Sequence, residues 1–581
     1  MRTKVFDFVA RYSAYRYSAI MVGSSAMAAA AASLLALASS NLVFADQIFF
    51  EPINNTVPIV TIGNTAYRGV DRDLYSTTLF GGIPYADTVA GTSRLTVAQD
   101  PQELAGEHDG SKPGAFCTQS WAPFTFALRP TLPPRPDFSG DPTTYFSGSG
   151  SEECLTLDIY VPQGAIQRGA KLPVQVFIPG GGYAITPTLN EPDTYIGMND
   201  HGFVSVFPRY RLGAYGLLGG SEMLAANLTN LAMRDIITAM KWVKFNIEHF
   251  GGDPNHVVME GASAGAGAIM YLSQTEHFYH DDEPLWHGMI GNLVYSPPLL
   301  RCDHPSLQEQ FDRVSRSVGC ATASDKIACL RKVSSQRFLE ANYEILVTNL
   351  FGVLPFGPCV DEDWILSSPN TLNQEQKPRK SLKLLAGSHV RSAVPFIPGP
   401  ANYPSASDDV LLGWMRLYLP SLSEASAKAI LKFYDAGVYA KKENAGYERM
   451  LDVYSDVQYN CPTYWWTEAY GEDAWKFLYA VPPGFDSADL QWFTTNGPYT
   501  PNAPDFLEDF LRAKGSFIRY LDPNPGRTGR IPEWKSFKAG NRGEMVFNLD
   551  AWGASVPRIL NIPNQKVRCD AWKKITKEVP Y

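Results

Sequence analysis

The hydrophobic positions of this chain form two patterns, continuous apolar runs typical of buried strands and a three-to-four-residue spacing typical of helices. Between residues 231 and 250, apolar side chains recur every three or four positions, which predicts an amphipathic helix. Short continuous apolar runs predict buried strands at residues 172–178, 204–208, 257–260, 382–386 and 476–480. Because strands and helices alternate along the chain, we expect an α/β fold in which helices cover both faces of a large, mostly parallel sheet.

A Gly-x-Ser-x-Gly segment, residues 261–265, lies between the predicted strand 257–260 and a small, apolar stretch, 266–272, that predicts a buried helix. Strand, tight turn and helix in this order are the context of a nucleophile elbow, in which a strained turn exposes the serine hydroxyl. The amide of Ala264 then lies at a helix N-terminus, where it can stabilise an oxyanion. The segment therefore predicts Ser263 as a nucleophile. The alternative is a glycine-rich turn that only begins a helix.

A second glycine-rich segment, Pro179-Gly180-Gly181-Gly182-Tyr183, follows the predicted strand 172–178. Backbone amides in such a loop can donate to a developing negative charge, and removal of one such donor typically slows an enzyme by about 10²–10³. We therefore expect this loop to supply two further amide donors. A tight loop with no anionic ligand is the alternative.

The N-terminus has the composition of a targeting segment. Basic residues at positions 2, 4, 11 and 16 precede an Ala-rich apolar stretch, and Val43-Phe44-Ala45 then offers a small-residue cleavage pattern. We expect residues 1–45 to be a signal peptide, with an uncleaved membrane anchor as the alternative. No linker divides residues 46–581, so they are predicted to form one domain. Asn54 and Asn227 fit the pattern for N-glycosylation, which suits a secreted chain or one in the secretory pathway.

Composition excludes several classes of partner. The net charge of −9 argues against nucleic acid and against anionic membrane surfaces. No His, Cys, Asp or Glu cluster has the spacing of metal ligands, so neither a metal nor another cofactor is expected. Beyond the N-terminal segment, no stretch is long and apolar enough to span a bilayer. The sequence contains no indication of the oligomeric state.

Eight cysteines in a chain that enters the secretory pathway predict disulfides, with buried free thiols as the alternative for some of them. Cys320 and Cys329 are nine positions apart and would close a small loop. Cys117 and Cys154 would close a larger one. The pairing of four others stays open: Cys302, Cys359, Cys461 and Cys569.

With these motifs in place, the chain resembles the type-B carboxylesterase/lipase family, which includes cholinesterases and fungal lipases, and is most similar to its secreted fungal members. The matching segments begin near Gly81-Gly82-Ile83-Pro84-Tyr85-Ala86 and end at Arg568-Cys569-Asp570-Ala571-Trp572. Between them lie Ser151-Glu152-Glu153-Cys154-Leu155-Thr156-Leu157-Asp158, Tyr210-Arg211-Leu212-Gly213, Asn230-Leu231-Ala232-Met233-Arg234-Asp235 and Phe250-Gly251-Gly252-Asp253-Pro254. The resemblance therefore covers nearly the whole chain after the targeting segment.

The resemblance implies a fold, a set of site residues and two disulfides. The fold is that of the α/β-hydrolases, and Ser263 is the nucleophile. The oxyanion donors would be the amides of Gly181, Gly182 and Ala264. The resemblance also implies the disulfides Cys117–Cys154 and Cys320–Cys329.

Two catalytic positions of the family hold other residues in this chain. The family's acid lies in a Gly-x-Asn-x-x-Glu-Gly segment, and the matching residues 387–393 place Ser392 at the acid position. The family's histidine lies in Pro-Pro-Gly-x-His-Gly-x-Asp, and the matching residues 482–489 place Asp486 at the base position. The last histidine of the chain is His389, so no histidine follows in the C-terminal third.

A serine hydroxyl needs a base to take its proton, and an aspartate is a poor one. An unperturbed aspartate is a weaker base than imidazole by roughly 2.6 pKa units, or about 3.5 kcal/mol. Oxyanion donors and binding alone can leave a residual acceleration of about 10³–10⁴ over water. Slow ester hydrolysis is therefore compatible with the sequence, but efficient hydrolysis by the family mechanism is not expected.

Three histidines elsewhere in the sequence are candidates for the missing base. His389 lies three residues before Ser392 and could approach the same pocket; the alternative is a polar loop position beside the sheet. His256 precedes the nucleophile strand and His249 lies in a helix-end turn, so neither is well placed. Asp489 matches a solvated or structural aspartate of the family and is given no catalytic role.

Three functions are compatible with this scaffold, and the expected partner is a small hydrophobic ligand or ester, which the 12% aromatic content suits. The favoured one is a non-hydrolytic transformation, such as a cyclisation, isomerisation or elimination on a secondary metabolite. In that reaction the amides would polarise a carbonyl while Asp486 moves a proton. The second is ester hydrolysis at Ser263 with a non-standard base. The third is a non-catalytic role in binding or adhesion.

Overall fold

The computed structural model describes residues 58–102, 105–120, 150–186, 191–349, 353–374, 382–397, 399–403, 405–419, 421–486, 488–493, 503–575 and 578. All of them lie in one compact unit, Val57–Tyr581. The predicted targeting segment and the glycosylation pattern at Asn54 lie outside the described residues.

The described residues form sixteen strands. In chain order they are β1 Ile59–Ile62, β2 Thr65–Arg68, β3 Val70–Arg72, β4 Thr77–Pro84, β5 Gly106–Asp109, β6 Thr156–Pro162, β7 Leu172–Ile178, β8 Val204–Pro208, β9 Gly252–Ser263, β10 Tyr279–His280, β11 Glu283–Pro284, β12 Gly288–Val294, β13 Lys383–His389, β14 Ala474–Tyr479, β15 Glu544–Phe547 and β16 Arg558–Leu560. The ends of β7 and β8 coincide with those that the apolar runs predict.

Eleven of these strands form one mixed sheet, in the order β16-β15-β14-β13-β12-β9-β7-β8-β6-β4-β3. Every pairing from β15 to β8 is parallel. The strands at both edges pair antiparallel. The prediction of a large, mostly parallel sheet is confirmed. The strand β9, which ends at Ser263, lies near the middle of that sheet.

Sixteen α-helices accompany the strands within the described part of the chain. They are α1 Asp193–Met198, α2 Gly213–Leu217, α3 Ser221–Ala225, α4 Leu231–Asn246, α5 Ala264–Leu272, α6 Pro305–Ser317, α7 Lys326–Lys332, α8 Ser335–Val347, α9 Pro369–Gln374, α10 Asp408–Tyr418, α11 Glu424–Leu431, α12 Ala436–Tyr439, α13 Ala445–Ser455, α14 Cys461–Tyr470, α15 Pro504–Tyr520 and α16 Pro563–Lys573. A π-helix, Asp456–Asn460, joins α13 to α14.

The sheet separates two hydrophobic cores, because successive side chains of a strand point to opposite faces. On β9, Val257 and Met259 belong to the core that contains α4 and α5, whereas Val258 belongs to the core that contains α15. Burial on both faces explains why the central strands are continuous apolar runs rather than alternating ones. It also leaves the carboxyl ends of the parallel strands as the natural place for a site.

Four disulfides join all eight cysteines. Cys117 pairs with Cys154 and Cys320 pairs with Cys329, as the resemblance implies. The four cysteines left open by the sequence form Cys302–Cys359 and Cys461–Cys569. None of the helices in the described ranges has the length and apolar character needed to cross a membrane.

Candidate active site

Ser263 lies at the junction of β9 and α5, as an elbow requires. Its backbone has φ 52° and ψ −122°, in a region that residues other than glycine rarely adopt and that costs energy to hold. The amide of Tyr295 donates to the Ser263 carbonyl at 3.1 Å. A side chain at Gly265 would collide with the carbonyl oxygen of Ile178. The first turn of α5 therefore packs on the end of β7 only because glycine occupies that position.

The glycine loop after β7 lies directly against the serine. A Cβ atom at Gly180 would be 2.9 Å from Ser263 Cβ and 2.5 Å from the Ala262 carbonyl oxygen. Gly181 and Gly182 have positive φ values of 110° and 61°, which glycine adopts without strain. The loop and the start of α5 thus both adjoin the serine. The role of their amides as oxyanion donors stays a prediction.

The hydroxyl of Ser263 is hydrogen-bonded to an aspartate. Ser263 Oγ donates to Asp486 Oδ2 at 2.9 Å. Both residues are buried, with 4% and 7% of their surfaces exposed. All nine histidines of the chain lie among the described residues, and none of them makes a hydrogen bond to Ser263 Oγ. The aspartate that the motifs place at the base position is therefore in contact with the serine.

A second donor to the same carboxylate is Tyr459, which no motif of the sequence indicates. Its hydroxyl donates to Asp486 Oδ2 at 3.3 Å. Tyr459 lies in the π-helix, an element that is rare and often found at functional sites. Burial raises the pKa of Tyr459 well above its usual value, and the charge of Asp486 raises it further. Tyr459 is therefore protonated at neutral pH and acts as a donor.

Aromatic side chains surround this tyrosine. The Tyr459 ring centroid lies 5.6 Å from that of Tyr295, 5.9 Å from that of Phe396 and 6.4 Å from that of Tyr454. Burial also raises the pKa values of Tyr295 and Tyr454 well above the ordinary tyrosine value. The side of Asp486 that faces Tyr459 is therefore rich in aromatic rings, and the tyrosine hydroxyls among them stay protonated.

Ser392, at the family's acid position, is fully buried and donates elsewhere. Its hydroxyl donates to the backbone carbonyl of His389 at 3.0 Å. The side chain therefore helps to close the turn that follows β13. Within the described structure, no hydrogen bond joins Ser392 to Asp486.

The ring of His389 faces the loop that carries Asp486, not the serine. Nδ1 lies 2.8 Å from the carbonyl oxygen of Phe485, and Nε2 lies 3.3 Å from Asp489 Oδ1. Asp489 is completely buried, so it is a structural aspartate and not a solvated one. Because both ring nitrogens face this loop, His389 is not placed to be the base for Ser263, contrary to the possibility left open by the sequence.

The pKa of His389 is raised above its usual value. Burial alone lowers the pKa, because it disfavours the charged ring. The charge of Asp489, whose Oδ1 lies 3.3 Å from Nε2, opposes that effect. The Phe485 carbonyl and the charge of Asp486 add to the increase.

The other two candidate histidines lie away from the serine. His256 Nε2 is 2.9 Å from the carbonyl oxygen of Ile518, a residue of α15. His249 lies in a 3-10 helix, Ile247–Phe250, at the end of α4. In the part of the chain that the structure describes, no three His, Cys, Asp or Glu residues are grouped as metal ligands.

A buried charge network fixes the strand that leads to Ser263. Glu260, on β9, pairs with Lys514 of α15 at 2.7 Å, and both are almost fully buried. The same carboxylate accepts from Gln175 at 2.6 Å and from Asn292 at 2.9 Å. These contacts tie β9 to its two neighbouring strands and to α15, so the serine is carried on a firmly held element.

The glycosylation pattern at Asn227 is at the surface. Asn227 is exposed and has φ 54°, and its side-chain oxygen accepts from Arg234 at 2.6 Å. An exposed loop position is compatible with an attached glycan. Glycosylation there stays a prediction.

Comparison with known proteins finds relatives along most of the chain. The sequence profile of the Carboxylesterase family matches residues 56–554. Lipase 1 of Geotrichum candidum is 27% identical over 536 residues, which are 84% of this chain and 91% of the lipase. Secreted lipase 1 of Botryotinia fuckeliana is 29% identical over 326 residues, which are 54% of this chain and 56% of that protein.

Among solved structures, Aspergillus niger EstA is similar with a TM-score of 0.76 and 23% identity, and the match covers 91% of this chain and 100% of that chain. At this level of identity, the likeness shows the shared fold. It confirms the α/β-hydrolase fold that the motifs imply.

Proposed function

Because this chain belongs to the carboxylesterase family, we propose that it binds a small apolar carbonyl compound and moves a proton on it without hydrolysing an ester. The observation that carries the proposal is the 2.9 Å hydrogen bond from Ser263 Oγ to Asp486 Oδ2. A carboxylate at this position accepts protons but is a weak partner for a serine nucleophile. A carboxylate base beside a site for an oxyanion is suited to proton shifts next to a carbonyl.

The proposed step uses groups that adjoin Ser263. The substrate carbonyl oxygen would accept from the amides of Gly181, Gly182 and Ala264. Asp486 would take a proton from the carbon next to that carbonyl, so that the C–H bond breaks and an O–H bond forms on the carboxyl group. The electron pair moves onto the carbonyl oxygen as an enolate. If the proton returns to another carbon, the product is an isomer. If a substituent on the β-carbon leaves instead and takes the proton with it, the reaction is an elimination.

The aromatic surroundings support a small apolar substrate. The rings of Tyr295, Phe396 and Tyr454 pack around Tyr459, whose own ring lies beside Asp486. The hydroxyl of Tyr459 adds a donor that stabilises the carboxylate before the proton is taken. A secondary metabolite of low polarity with a ketone, lactone or ester carbonyl suits this chemistry.

Slow hydrolysis of an apolar ester is the second candidate, and the elbow favours it. Ser263 keeps the strained backbone of a nucleophile. Attack by Ser263 Oγ would transfer its proton to Asp486, and the protonated carboxyl group would then give that proton to the leaving alcohol. Because aspartate is the weaker base by roughly 2.6 pKa units, this route should be slow.

Secretion belongs to the same proposal. The N-terminal segment predicts a signal peptide, four disulfides suit an oxidising compartment, and one relative is by name a secreted lipase. Mass spectrometry of the N-terminus of protein taken from the culture medium tests this. We expect the mature chain to begin at Asp46.

Deuterium incorporation tests the proposed function. The protein is incubated in deuterium oxide with cyclohexanone and with a β,γ-unsaturated ketone, and exchange is followed by NMR. We expect exchange above the buffer rate, loss of exchange in Asp486→Asn with ligand affinity kept, and retention of most exchange in Ser263→Ala. Hydrolysis of p-nitrophenyl butyrate should be close to background.

Two results would contradict the proposal. Turnover of the ester at about 10 per second, the median for enzymes, with complete loss in Ser263→Ala would make the protein an ordinary esterase. Binding of the ketones with neither exchange nor hydrolysis would make it a binding protein.

A further inference from the structure

One histidine contacts the loop that carries Asp486 on both sides of that aspartate. His389, the last residue of β13, contacts the carbonyl oxygen of Phe485 through Nδ1 at 2.8 Å. Its Nε2 lies 3.3 Å from Asp489 Oδ1. Phe485 comes directly before Asp486 and Asp489 comes three residues after it, so the two contacts bracket the aspartate.

Both contacts of the ring are with acceptors. A backbone carbonyl oxygen only accepts, and so does an ionised carboxylate. A neutral imidazole that donates from Nδ1 to the Phe485 carbonyl would turn the lone pair of Nε2 toward the Asp489 carboxylate, whereas an imidazolium presents an N–H group to both acceptors. The contacts therefore favour the charged ring, and the raised pKa of His389 agrees with this.

The burial of Asp489 indicates independently that the ring of His389 is charged. Asp489 is completely buried, and neither carboxylate oxygen has a hydrogen-bond donor of good geometry within the described structure. A carboxylate that is buried without a cation is strongly unfavourable. The charged groups that act on His389 are Asp489 and Asp486, and its ring also packs 4.9 Å from that of Tyr479. The imidazolium of His389 thus compensates the buried charge of Asp489.

We propose that His389, as a buried imidazolium paired with Asp489, is a positioning residue that holds the Asp486 carboxylate against Ser263. In this chain the histidine acts on the aspartate through its loop and not on the serine hydroxyl. The proposal rests on the proposed function only in taking Asp486 as the group that moves the proton.

The effect on catalysis follows from distance. Displacement of a catalytic group by about 1 Å can lower a rate by about a hundredfold. The turn after β13 also holds the start of this loop, because the amide of Arg391 donates to the carbonyl oxygen of Gly484 at 3.0 Å. That bond lies on only one side of Asp486. Without His389, the link from β13 to the far side of the aspartate, through Asp489, would be lost.

Two variants separate positioning from folding. His389→Gln removes the charge but leaves Asp489 buried without a cation, so it is prone to misfold. The double variant His389→Gln with Asp489→Asn removes both charges, and we expect it to fold. His256→Gln is the matched control, because His256 also contacts a backbone carbonyl, that of Ile518, but lies away from Asp486.

Ring protonation of His389 is measured in the wild type and in the control, and ketone exchange and the crystal structure are measured for every folded variant. NMR of protein with ¹⁵N-labelled histidine should show both ring nitrogens of His389 protonated at neutral pH in the wild type. In the double variant, exchange of ketone protons should fall by about a hundredfold with ligand affinity nearly unchanged. A crystal structure of the double variant should show the contact between Ser263 Oγ and Asp486 Oδ2 lost. The control should match the wild type in all three.

The outcomes distinguish this inference from the proposed function. A neutral His389 in the wild type, or a double variant that keeps the serine–aspartate contact and the wild-type exchange rate, would overturn the positioning role. If the wild type exchanges no ketone, the proposed function fails, and the NMR and crystallographic results still decide whether His389 holds the loop.

Discussion

Ser263 Oγ donates directly to Asp486 Oδ2 at 2.9 Å, with no imidazole between the serine and the carboxylate. In a serine hydrolase, the imidazole takes a proton from the serine and then returns it to the leaving group. An ionised aspartate accepts that proton less readily than an imidazole does, since an unperturbed aspartate is the weaker base by roughly 2.6 pKa units. The direct contact therefore favours reactions in which the carboxylate takes a proton from the substrate.

Removal of the Tyr459 hydroxyl should change the pH dependence of the site. Tyr459→Phe takes away a donor that favours the charged carboxylate of Asp486. A hydrogen bond to a charged group is worth about 1.5–3 kcal/mol at good geometry. Because the hydrogen bond from Tyr459 to Asp486 is 3.3 Å long, we expect its contribution to be smaller than this. The acid limb of the rate profile for ketone exchange should therefore move to higher pH by up to about one unit.

Tyr418→Phe is the control for that measurement. Tyr418 lies in the same aromatic cluster, and its hydroxyl donates to that of Tyr454 at 3.2 Å rather than to Asp486. Its loss should leave the acid limb in place. Equal shifts in both variants would show that Asp486 responds to the cluster as a whole and not to Tyr459.

Because of the pair of His389 and Asp489, the folded protein should lose stability as the pH rises. Because the folded state raises the pKa of His389, it binds that proton more tightly than the unfolded chain does. The resulting stabilisation is fully present below about pH 6.5, the ordinary value for histidine, and is lost as the pH rises through the raised folded value.

Urea unfolding at a series of pH values measures this effect. Over the window above about pH 6.5, the wild type should lose stability more steeply than the double variant His389→Gln with Asp489→Asn. His256→Gln should keep the wild-type slope in the same window. A double variant with an unchanged slope would show that His389 does not carry the linked proton.

The disulfides should differ in their effect on stability. Cys461–Cys569 spans 108 positions and Cys320–Cys329 spans nine. In the chain-entropy account, the larger loop gives the larger stabilisation, by about 2 kcal/mol between these two sizes. Calorimetry of the two double Cys→Ala variants should therefore show the larger loss for Cys461 with Cys569. The reverse order would mean that native-state packing around the smaller loop dominates.

The Cys461–Cys569 disulfide should also affect the candidate active site. Cys461 directly follows the π-helix that carries Tyr459. The Cys461–Cys569 variant should therefore lose ketone exchange at temperatures where its fold is still intact, whereas the Cys320–Cys329 variant should not. The measurement is the exchange rate below the unfolding transition of each variant.

Much of the fold can be predicted from sequence because its signals are local. The apolar runs of β7 and β8 define strands that are buried on both faces, and their bounds match the structure. The elbow can also be predicted, because Gly265 and the strained backbone of Ser263 belong to one short segment. The position of Asp486 follows from its place in a motif.

The rest depends on contacts between distant segments. Tyr459 lies 27 positions before Asp486 and reaches it from a π-helix, which has no sequence period of its own. The orientation of His389 toward Phe485 and Asp489 depends on the pairing of β13 with β14. No spacing rule indicates that Asp489, an ordinary aspartate in the sequence, is a completely buried partner of a histidine.

The rate at which a fluorophosphonate labels Ser263 tests the central claim, that an aspartate and not an imidazole serves this serine. The wild type is compared with the double variant Ser392→Glu with Asp486→His, which restores the family residues. Thermal unfolding of the double variant shows whether the buried site of Ser392 accepts the larger side chain. We predict that the wild type is labelled more slowly than the restored variant by about 10²–10³, the ratio that corresponds to roughly 2.6 pKa units of basicity. Labelling of the wild type as fast as that of a folded restored variant would contradict the account.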